Sequence, residues 1–290
     1  MIGIAIPAAI PFMRAYTTAD ATISSQQIAT VQRYGRRPPG SSPAGGWSLR
    51  MILFTVSVCM LIAQEPPPGL ARKVAHRESA TQAERNQYAY RQTVRLQELN
   101  SQGGMTGEYR EVREVIFSPT EERTEHMVGT PQRTLKNLIL TDEDFADIRE
   151  IQPFVLTDER MFIYETKFRG EEPVELPEGK IDCWVLQVRP RQILDKQRLF
   201  DGMLWVKKDD YSVVKSAGQA VPQIRSTKQE NLFPRFTTIR HLVNGFWFPT
   251  LTYADDTLYF RTVAQRERLT IHYSDYKKFG TETSISFEKP

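Results

Sequence analysis

Residues 236–253 have the sequence FTTIRHLVNGFWFPTLTY, and this stretch decides the fold. Two runs of alternating side chains flank Asn244-Gly245. An Asn-Gly pair in that position is the strongest short signal for a β-hairpin, because both turn residues must accept a positive φ. Asp255-Asp256 predicts a second turn, with further strands over residues 257–263 and 268–276. We therefore expect a four-stranded antiparallel meander in this part of the chain.

The rest of the chain is also mainly β-strand by its alternation. Two segments have helical spacing instead. One is residues 70–86, and the other lies inside residues 134–151, where Thr141 and the acids after it favour a helix N-terminus. The irregular segment 220–234 has the length of a lid, an edge cover or a crossover. The other predicted strands cover residues 88–99, 108–118, 122–128, 160–168 and 181–188, with a hairpin at 202–215. The predicted class is α+β, mainly antiparallel β.

Composition and charge exclude one class of partner. The 290 residues contain 38 Lys and Arg against 35 Asp and Glu, a net charge of +3. This small excess is interleaved with acids and argues against nucleic acid as a partner. With 40% hydrophobic residues the chain can bury a core. The roughly 220 residues that follow the N-terminal region suit one β-rich domain.

The N-terminal region has the pattern of an exported protein. Residues 1–50 have no core-forming period, so we expect them to be disordered or to precede the true start of translation. Residues 51–63 are uncharged and apolar, too few to span a bilayer but suited to the h-region of a signal peptide. The alternative for residues 51–63 is a buried strand or short helix. A Pro-rich linker, residues 64–69, follows.

Initiation near Leu49 would leave Arg50 as a short basic start before the h-region. Cleavage after Ala63 would release the chain into the periplasm, with residues 70–290 as the folded domain. Of the two cysteines, Cys59 would be removed and Cys183 kept, so no internal disulfide is expected. We expect Cys183 to be a small buried hydrophobic residue.

Three segments carry a resemblance to a known family: GMLWVKKDDYSVVK at residues 202–215, GFWFP at 245–249 and IHYSDYKKF at 271–279. With the order of helix, hairpins and closing meander, the chain from Leu70 onward resembles the LolA/LolB-like half-barrel family. Its members include bacterial periplasmic lipoprotein and lipid carriers and uncharacterised proteins that are outer-membrane lipoprotein-sorting-like. The resemblance implies an incomplete β-barrel, a curved antiparallel sheet with helices covering its concave face.

The resemblance also implies an apolar cavity between the sheet and the helices. Such a cavity suits lipoprotein acyl chains or a lipid, because each buried methylene contributes about 0.8 kcal/mol. Large apolar residues on the predicted strands are the candidates to line it, and the alternative for each is a place in a closed core. The candidate ligand-binding residues are Phe162, Tyr164, Trp184, Leu186, Trp205, Trp247, Tyr253 and Phe260.

The sequence lacks the common signatures of catalysis. It has no Gly-x-Ser-x-Gly, His-Glu-x-x-His, Gly-rich phosphate loop or Cys-x-x-Cys, so we expect no enzyme, no cofactor and no metal site. His241 and His272 lie on predicted strands and could meet with Asp275, although strand histidines more often face solvent. Their convergence in the cleft would favour an enzyme that acts on an envelope lipid or glycan.

The preferred hypothesis is a periplasmic carrier or chaperone that shields lipoprotein acyl chains or a lipid without catalysis. The alternative is a cell-envelope module of the same fold that senses or scaffolds a protein partner and carries no lipid. A cavity filled by the protein's own side chains, with an exposed apolar patch outside, would favour this alternative.

Overall fold

A computed structural model describes residues 65–117, 123–193, 198–225 and 230–279. The helices in these ranges are α1 (Leu70–Arg85), α2 (Asp142–Glu150) and the 3-10 turn η1 (Met161–Ile163). The strands are β1 (Tyr88–Leu99), β2 (Met105–Phe117), β3 (Arg123–Met127), β4 (Gln132–Arg133), β5 (Tyr164–Leu176), β6 (Gly179–Pro190), β7 (Leu199–Lys207), β8 (Val213–Val221), β9 (Ile224–Arg225), β10 (Glu230–Asn231), β11 (Phe236–Val243), β12 (Phe246–Tyr259) and β13 (Ala264–Lys278).

Eleven of these strands form one open antiparallel sheet. Their order is β3-β2-β1-β13-β12-β11-β8-β7-β6-β5, with β4 beside β2, while β9 and β10 form a separate pair. The first long strand and the last, β1 and β13, pair in the interior of the sheet, where Tyr88 lies opposite Lys278. The predicted class is confirmed: α+β, mainly antiparallel, with a curved sheet that does not close into a barrel.

The predicted hairpin at Asn244-Gly245 is confirmed. Strands β11 and β12 pair up to Val243 opposite Phe246. The turn residues Asn244 and Gly245 have φ angles of 48° and 87°. Asn tolerates this left-handed conformation better than other non-glycine residues, and Gly adopts it freely.

The second predicted turn is wrong. Asp255 and Asp256 lie inside β12, which pairs with β13 as far as Tyr259. The Asp255 carboxylate accepts hydrogen bonds across the strand pair from Arg266 at 3.0 Å and from Arg268 at 2.6 Å. These cross-strand charge pairs favour the strand, although the local sequence favours a turn. The meander therefore has three long strands instead of four.

One face of the sheet is covered by α1, α2 and the chain that follows α2. Leu70 and Val74 of α1 and Ile148 of α2 belong to the main hydrophobic cluster. After α2, the ring of Phe154 stacks on Phe200 of β7 with 4.4 Å between the ring centroids. Burying one such side chain stabilises the fold by about 1.5–3 kcal/mol. The helices thus cover the concave face, as the resemblance implies.

The opposite face of the sheet carries a second, smaller hydrophobic cluster. Strand β6 contributes side chains to both clusters, because Trp184 packs in the first and Cys183 packs in the second. Strand β6 therefore has buried apolar side chains on both of its faces. The turn of the β5–β6 hairpin reaches β11, where the Glu178 carboxylate accepts a hydrogen bond from the backbone N–H of Leu242 at 3.3 Å.

The predicted N-terminal extension (1–50) and h-region (51–63) lie outside the described residues, so the proposed division of the chain stays a prediction. Within the described ranges, neither α-helix is both long and apolar enough to cross a membrane. The first described helix begins at Leu70, directly after the Pro-rich linker.

Candidate functional site

A cavity of about 360 Å³ lies between the sheet and its cover, next to the N-terminus of α2. Its sheet side is mainly apolar and includes Leu96 of β1, Leu258 of β12 and Leu269 of β13. The cover contributes Leu138 and Phe233, from two segments without regular secondary structure. The volume falls within the range of about 300–1,000 Å³ that is usual for small-molecule sites.

Glu98 of β1 holds the first covering segment in place. Its side chain is fully buried. Its carboxylate accepts hydrogen bonds from the backbone N–H groups of Lys136 at 2.9 Å, Asn137 at 2.7 Å and Leu138 at 2.6 Å. A buried carboxylate is tolerated when several donors surround it, and these backbone groups have no strand or helix to bond them. Leu138 is thereby fixed against the cavity.

Asn231 ties the second covering segment to α2. Its amide nitrogen donates to Thr141 Oγ1 at 2.7 Å and to Asp144 Oδ1 at 3.1 Å. Thr141 is the N-cap of α2 and forms a capping box with Asp144, which confirms the predicted helix start. The residues that begin α2 therefore also position residues 230–234 beside the cavity.

An ion pair also helps to join α2 to the second covering segment. Arg198 bonds to Asp147 of α2 through one guanidinium nitrogen and donates through the other to the backbone oxygen of Asn231 at 3.2 Å. Burial raises the pKa of Asp147 to about 7, although the charge and hydrogen bond of Arg198 oppose the rise. Arg198 therefore joins α2, the chain before β7 and the second covering segment.

Burial raises the pKa values of two acids that line the cavity, Glu267 and Asp144. Burial, together with the smaller effects of the charges on Asp144, Asp256 and Glu98, raises the pKa of Glu267 to about 8. Burial also raises the pKa of Asp144, while hydrogen bonds from Thr141 and Asn231 oppose this rise. At neutral pH the Glu267 carboxyl is mostly protonated. The cavity thus combines apolar walls with a neutral acid that can donate or accept a hydrogen bond.

Four of the predicted lining residues pack on the covered face of the sheet. Phe260, in the turn after β12, lines the cavity. Tyr164, Trp184 and Leu186 are buried in the main hydrophobic cluster, apart from the cavity lining. The hydroxyl oxygen of Tyr164, for example, accepts a hydrogen bond from the backbone N–H of Phe200 at 3.3 Å. These three residues therefore belong to the closed core, which is the alternative to a place in the cavity lining.

The other four predicted lining residues lie elsewhere. Trp205 and Trp247 are buried in the cluster on the opposite face of the sheet. Tyr253 is 40% exposed and Phe162 is 72% exposed. The prediction that Phe162 lies on a strand is wrong, because the chain turns there through η1 and β5 begins two residues later.

The histidines do not form a shared site. His241 Nδ1 lies 3.0 Å from Glu178 Oε1, and Asp275 lies 3.4 Å from Arg91. His272 is exposed on β13, which is separated from β11 by β12. None of the three lines the cavity. Across the ranges that the structure describes, no group of three His, Cys, Asp or Glu side chains could hold a metal ion.

Sequence reasoning missed Glu98 and Glu267 as residues of the site. A signal for Glu267 existed, because it alternates with Gln265 and Leu269 in the inward-facing set of β13. An acid among inward-facing residues indicates a special environment. The prediction began this strand at residue 268 and so left Glu267 out. Glu98 also stands in an alternating strand, but its backbone partners lie 38 to 40 residues away along the chain.

No family model matches the chain, and no curated protein matches it. Several solved structures are similar at low identity. A DUF1329 family protein from Desulfovibrio piger has 13% identity and a TM-score of 0.36, covering 76% of this chain and 96% of its own. A LolA superfamily protein from Nitrosomonas europaea has 14% identity and a TM-score of 0.32, covering 72% and 96%.

A third structure is a domain from Vibrio parahaemolyticus described as an outer membrane lipoprotein-sorting protein. It has 12% identity and a TM-score of 0.32, and covers 71% of this chain and 92% of its own. Two of these three descriptions name the family that the sequence resembles.

Proposed function

We propose that this protein is a non-enzymatic carrier in the cell envelope, which holds an apolar chain of a lipid or lipoprotein in the cavity beside α2. The observation that carries the proposal is the cavity of about 360 Å³ with its mainly apolar sheet side and its fixed cover. Leu96, Leu258 and Leu269 give the sheet side of this space a largely apolar surface. Its walls are suited to binding.

The cavity has room for one apolar chain. At ~30 Å³ for each water-sized group, the volume accommodates about a dozen chain atoms. Burying a dozen methylenes offers up to ~10 kcal/mol before the costs of ordering are subtracted. A single acyl chain can therefore bind through apolar contacts alone, whereas further chains of the same molecule would stay outside this cavity.

The periplasm is the compartment we propose, on the basis of residues 51–63 and their signal-like pattern. Edman sequencing of the protein from a cell-envelope fraction tests this part. We expect a mature N-terminus between residues 64 and 70. Recovery of residues 1–48 in the native product would contradict it.

A cavity-filling variant tests the binding function directly. Leu258→Trp adds bulk to a residue that lines the cavity, and Leu242→Trp makes the same change at an exposed position of β11. With N-phenyl-1-naphthylamine as a neutral apolar probe, we expect at least a tenfold loss of affinity in Leu258→Trp and little change in Leu242→Trp. Circular dichroism and urea unfolding check that both variants fold.

Native mass spectrometry of the wild-type protein from its own cells complements the probe assay. We expect a fraction of molecules to carry one apolar-chain ligand that is released on extraction with organic solvent. A protein that is empty in cells and also leaves the probe unbound would overturn the carrier proposal.

A second candidate is the interaction module of the cell envelope. It is favoured by the filled space elsewhere on the covered face, where Phe154 stacks on Phe200 and packs edge-on against Tyr164. If the protein is empty and takes up no probe, this candidate replaces the carrier. Cross-linking in intact cells, with bands compared between wild type and variants of exposed Met127 and Val128, would then test for a partner.

A further inference from the structure

The ionisable side chains that line the cavity include three acids. Asp144, Glu230 and Glu267 line it, and no Lys or Arg stands among the described residues that line it. The guanidinium groups of Arg225 and Arg261 each lie 3.7 Å from Glu230 Oε1, outside the lining. These arginines pair with Glu230 and leave Glu267 without a cationic partner.

Glu267 is the acid whose bonding capacity is unused. Its side chain is 3% exposed and lines the cavity, and no described residue makes a hydrogen bond to its carboxyl group. Burial with no partner destabilises a polar group, so a ligand that supplies a partner gains from filling this role. The charged groups around it are acids on three different elements: Asp144 on α2, Asp256 on β12 and Glu98 on β1.

We propose that the amphiphile held in this cavity carries a protonated amine at the end of a single apolar chain. The inference rests on the function proposed above and names the ligand class of the same site. The chain packs between the sheet leucines and Phe233, and the ammonium group bonds the Glu267 carboxyl. Asp144 of α2 also lines the cavity and adds favourable charge.

The charges around the cavity favour some ligand head groups over others. A carboxylate or phosphate at Glu267 would place a negative charge near Asp144, Asp256 and Glu98 in a region of low dielectric, where Coulomb interactions are strong. A hydroxyl would make one neutral hydrogen bond with Glu267. An ammonium group donates up to three hydrogen bonds and favours the ionised form of the acid, and charge-assisted hydrogen bonds are the stronger kind.

Three ligands with apolar chains of equal length and different head groups test this preference. Dodecylamine, dodecanol and dodecanoate compete with N-phenyl-1-naphthylamine for the full-length protein at pH 7, each below its micelle concentration. We expect dodecylamine to bind about tenfold more tightly than dodecanol, and dodecanoate to bind most weakly. Glu267→Gln should abolish the preference for the amine and leave dodecanol within about twofold.

The matched control is Glu165→Gln, at an exposed position of β5 outside the cavity, which should keep the wild-type order of affinities. Wild-type protein that binds dodecanoate as well as dodecylamine would overturn the inference and leave the carrier proposal standing. An amine preference that survives in Glu267→Gln would also overturn it. If none of the three chains displaces the probe, the carrier proposal fails, and the ligand class fails with it.

Discussion

Arg240 of β11 and Glu78 of α1 form an ion pair that is enclosed by the protein. Arg240 Nη1 donates to both carboxylate oxygens of Glu78, at 2.9 Å and 2.8 Å, and the two side chains are 2% and 0% exposed. Arg240 Nη2 donates to the backbone oxygen of Phe154 at 2.6 Å. One buried guanidinium therefore joins the first helix, the centre of the sheet and the chain after α2.

Breaking this pair should be costly. We expect Glu78→Gln to lower the free energy of unfolding by about 3–5 kcal/mol, because it leaves a buried charge without its counterion. Glu84→Gln, on the same helix, breaks the more exposed pair with Lys278 and should cost about 0–1 kcal/mol. Urea unfolding of both variants measures the difference. Equal losses would contradict the assignment.

The glycine pair at the β7–β8 contact should resist substitution. A Cβ added to Gly202 would lie 2.5 Å from the ring of Phe200 and 2.7 Å from the Cα of Gly218. Gly202→Ala should therefore cost about 3 kcal/mol or more, as overpacking of a rigid site does. Gly129→Ala, where φ is 77° and the space is open, should cost about 1–2 kcal/mol. Thermal unfolding compares them, and the reverse order would be evidence against tight packing here.

The stability of the protein should depend on pH through Glu267. Its pKa of about 8 in the folded state lies above the ordinary value of 4.5, so the folded protein binds more protons than the unfolded chain between these values. The contribution to stability is therefore full below about pH 4.5 and falls as the pH rises towards 8.

Glu267→Gln removes this dependence. We expect the variant and the wild type to differ little at pH 4.5, and the variant to be more stable by a few kcal/mol at pH 8.5, since each pKa unit corresponds to about 1.4 kcal/mol. Urea unfolding at both pH values measures the two differences. A difference that does not change with pH would show that Glu267 titrates normally in the folded protein.

The capping box of α2 should affect the cover of the cavity as well as the helix. Thr141→Ala removes the N-cap oxygen and the acceptor of the Asn231 hydrogen bond at 2.7 Å. We expect a loss of about 1–2 kcal/mol and faster amide exchange in α2 and residues 230–234. Thr141→Ser keeps the oxygen and should behave like wild type. Faster exchange confined to α2 would show that Thr141 stabilises the helix without holding residues 230–234 in place.

Cys183 should be unreactive in the folded protein. Burial raises the pKa of its thiol to about 12, and the charges of Asp182 and Glu172 add to the effect. The thiolate is the nucleophile, so iodoacetamide at pH 8 should leave Cys183 unmodified until urea unfolds the chain. Mass spectrometry of the tryptic peptide that contains Cys183 gives the result. Rapid labelling without denaturant would indicate local opening of β6.

The fold could be predicted where its signals are local. The hairpin at Asn244-Gly245 and the helix start at Thr141 were recognisable because turn and capping chemistry act over two to four residues. Asp255 misled the prediction for the same reason. Its local preference is for a turn, whereas its partners Arg266 and Arg268 come from the neighbouring strand.

The site was harder to predict because distant contacts create it. Leu138 and Phe233 lie in segments with no periodicity, and the sequence around them does not reveal that they cover the sheet. Leu138 is held there by Glu98, 40 residues earlier in the chain. Aromatic size, which guided the choice of Trp205 and Trp247, indicates burial but cannot distinguish the two faces of a sheet that is covered on both.

The pairing of β1 with β13 has a consequence for how the chain folds during its synthesis. Strands β1 and β2 join the rest of the sheet through β13, the last strand among the described residues, with Tyr88 opposite Lys278. Contacts so far apart in sequence form slowly, because a long loop must close first. The sheet is therefore completed only after β13 has been synthesised and has paired with β1.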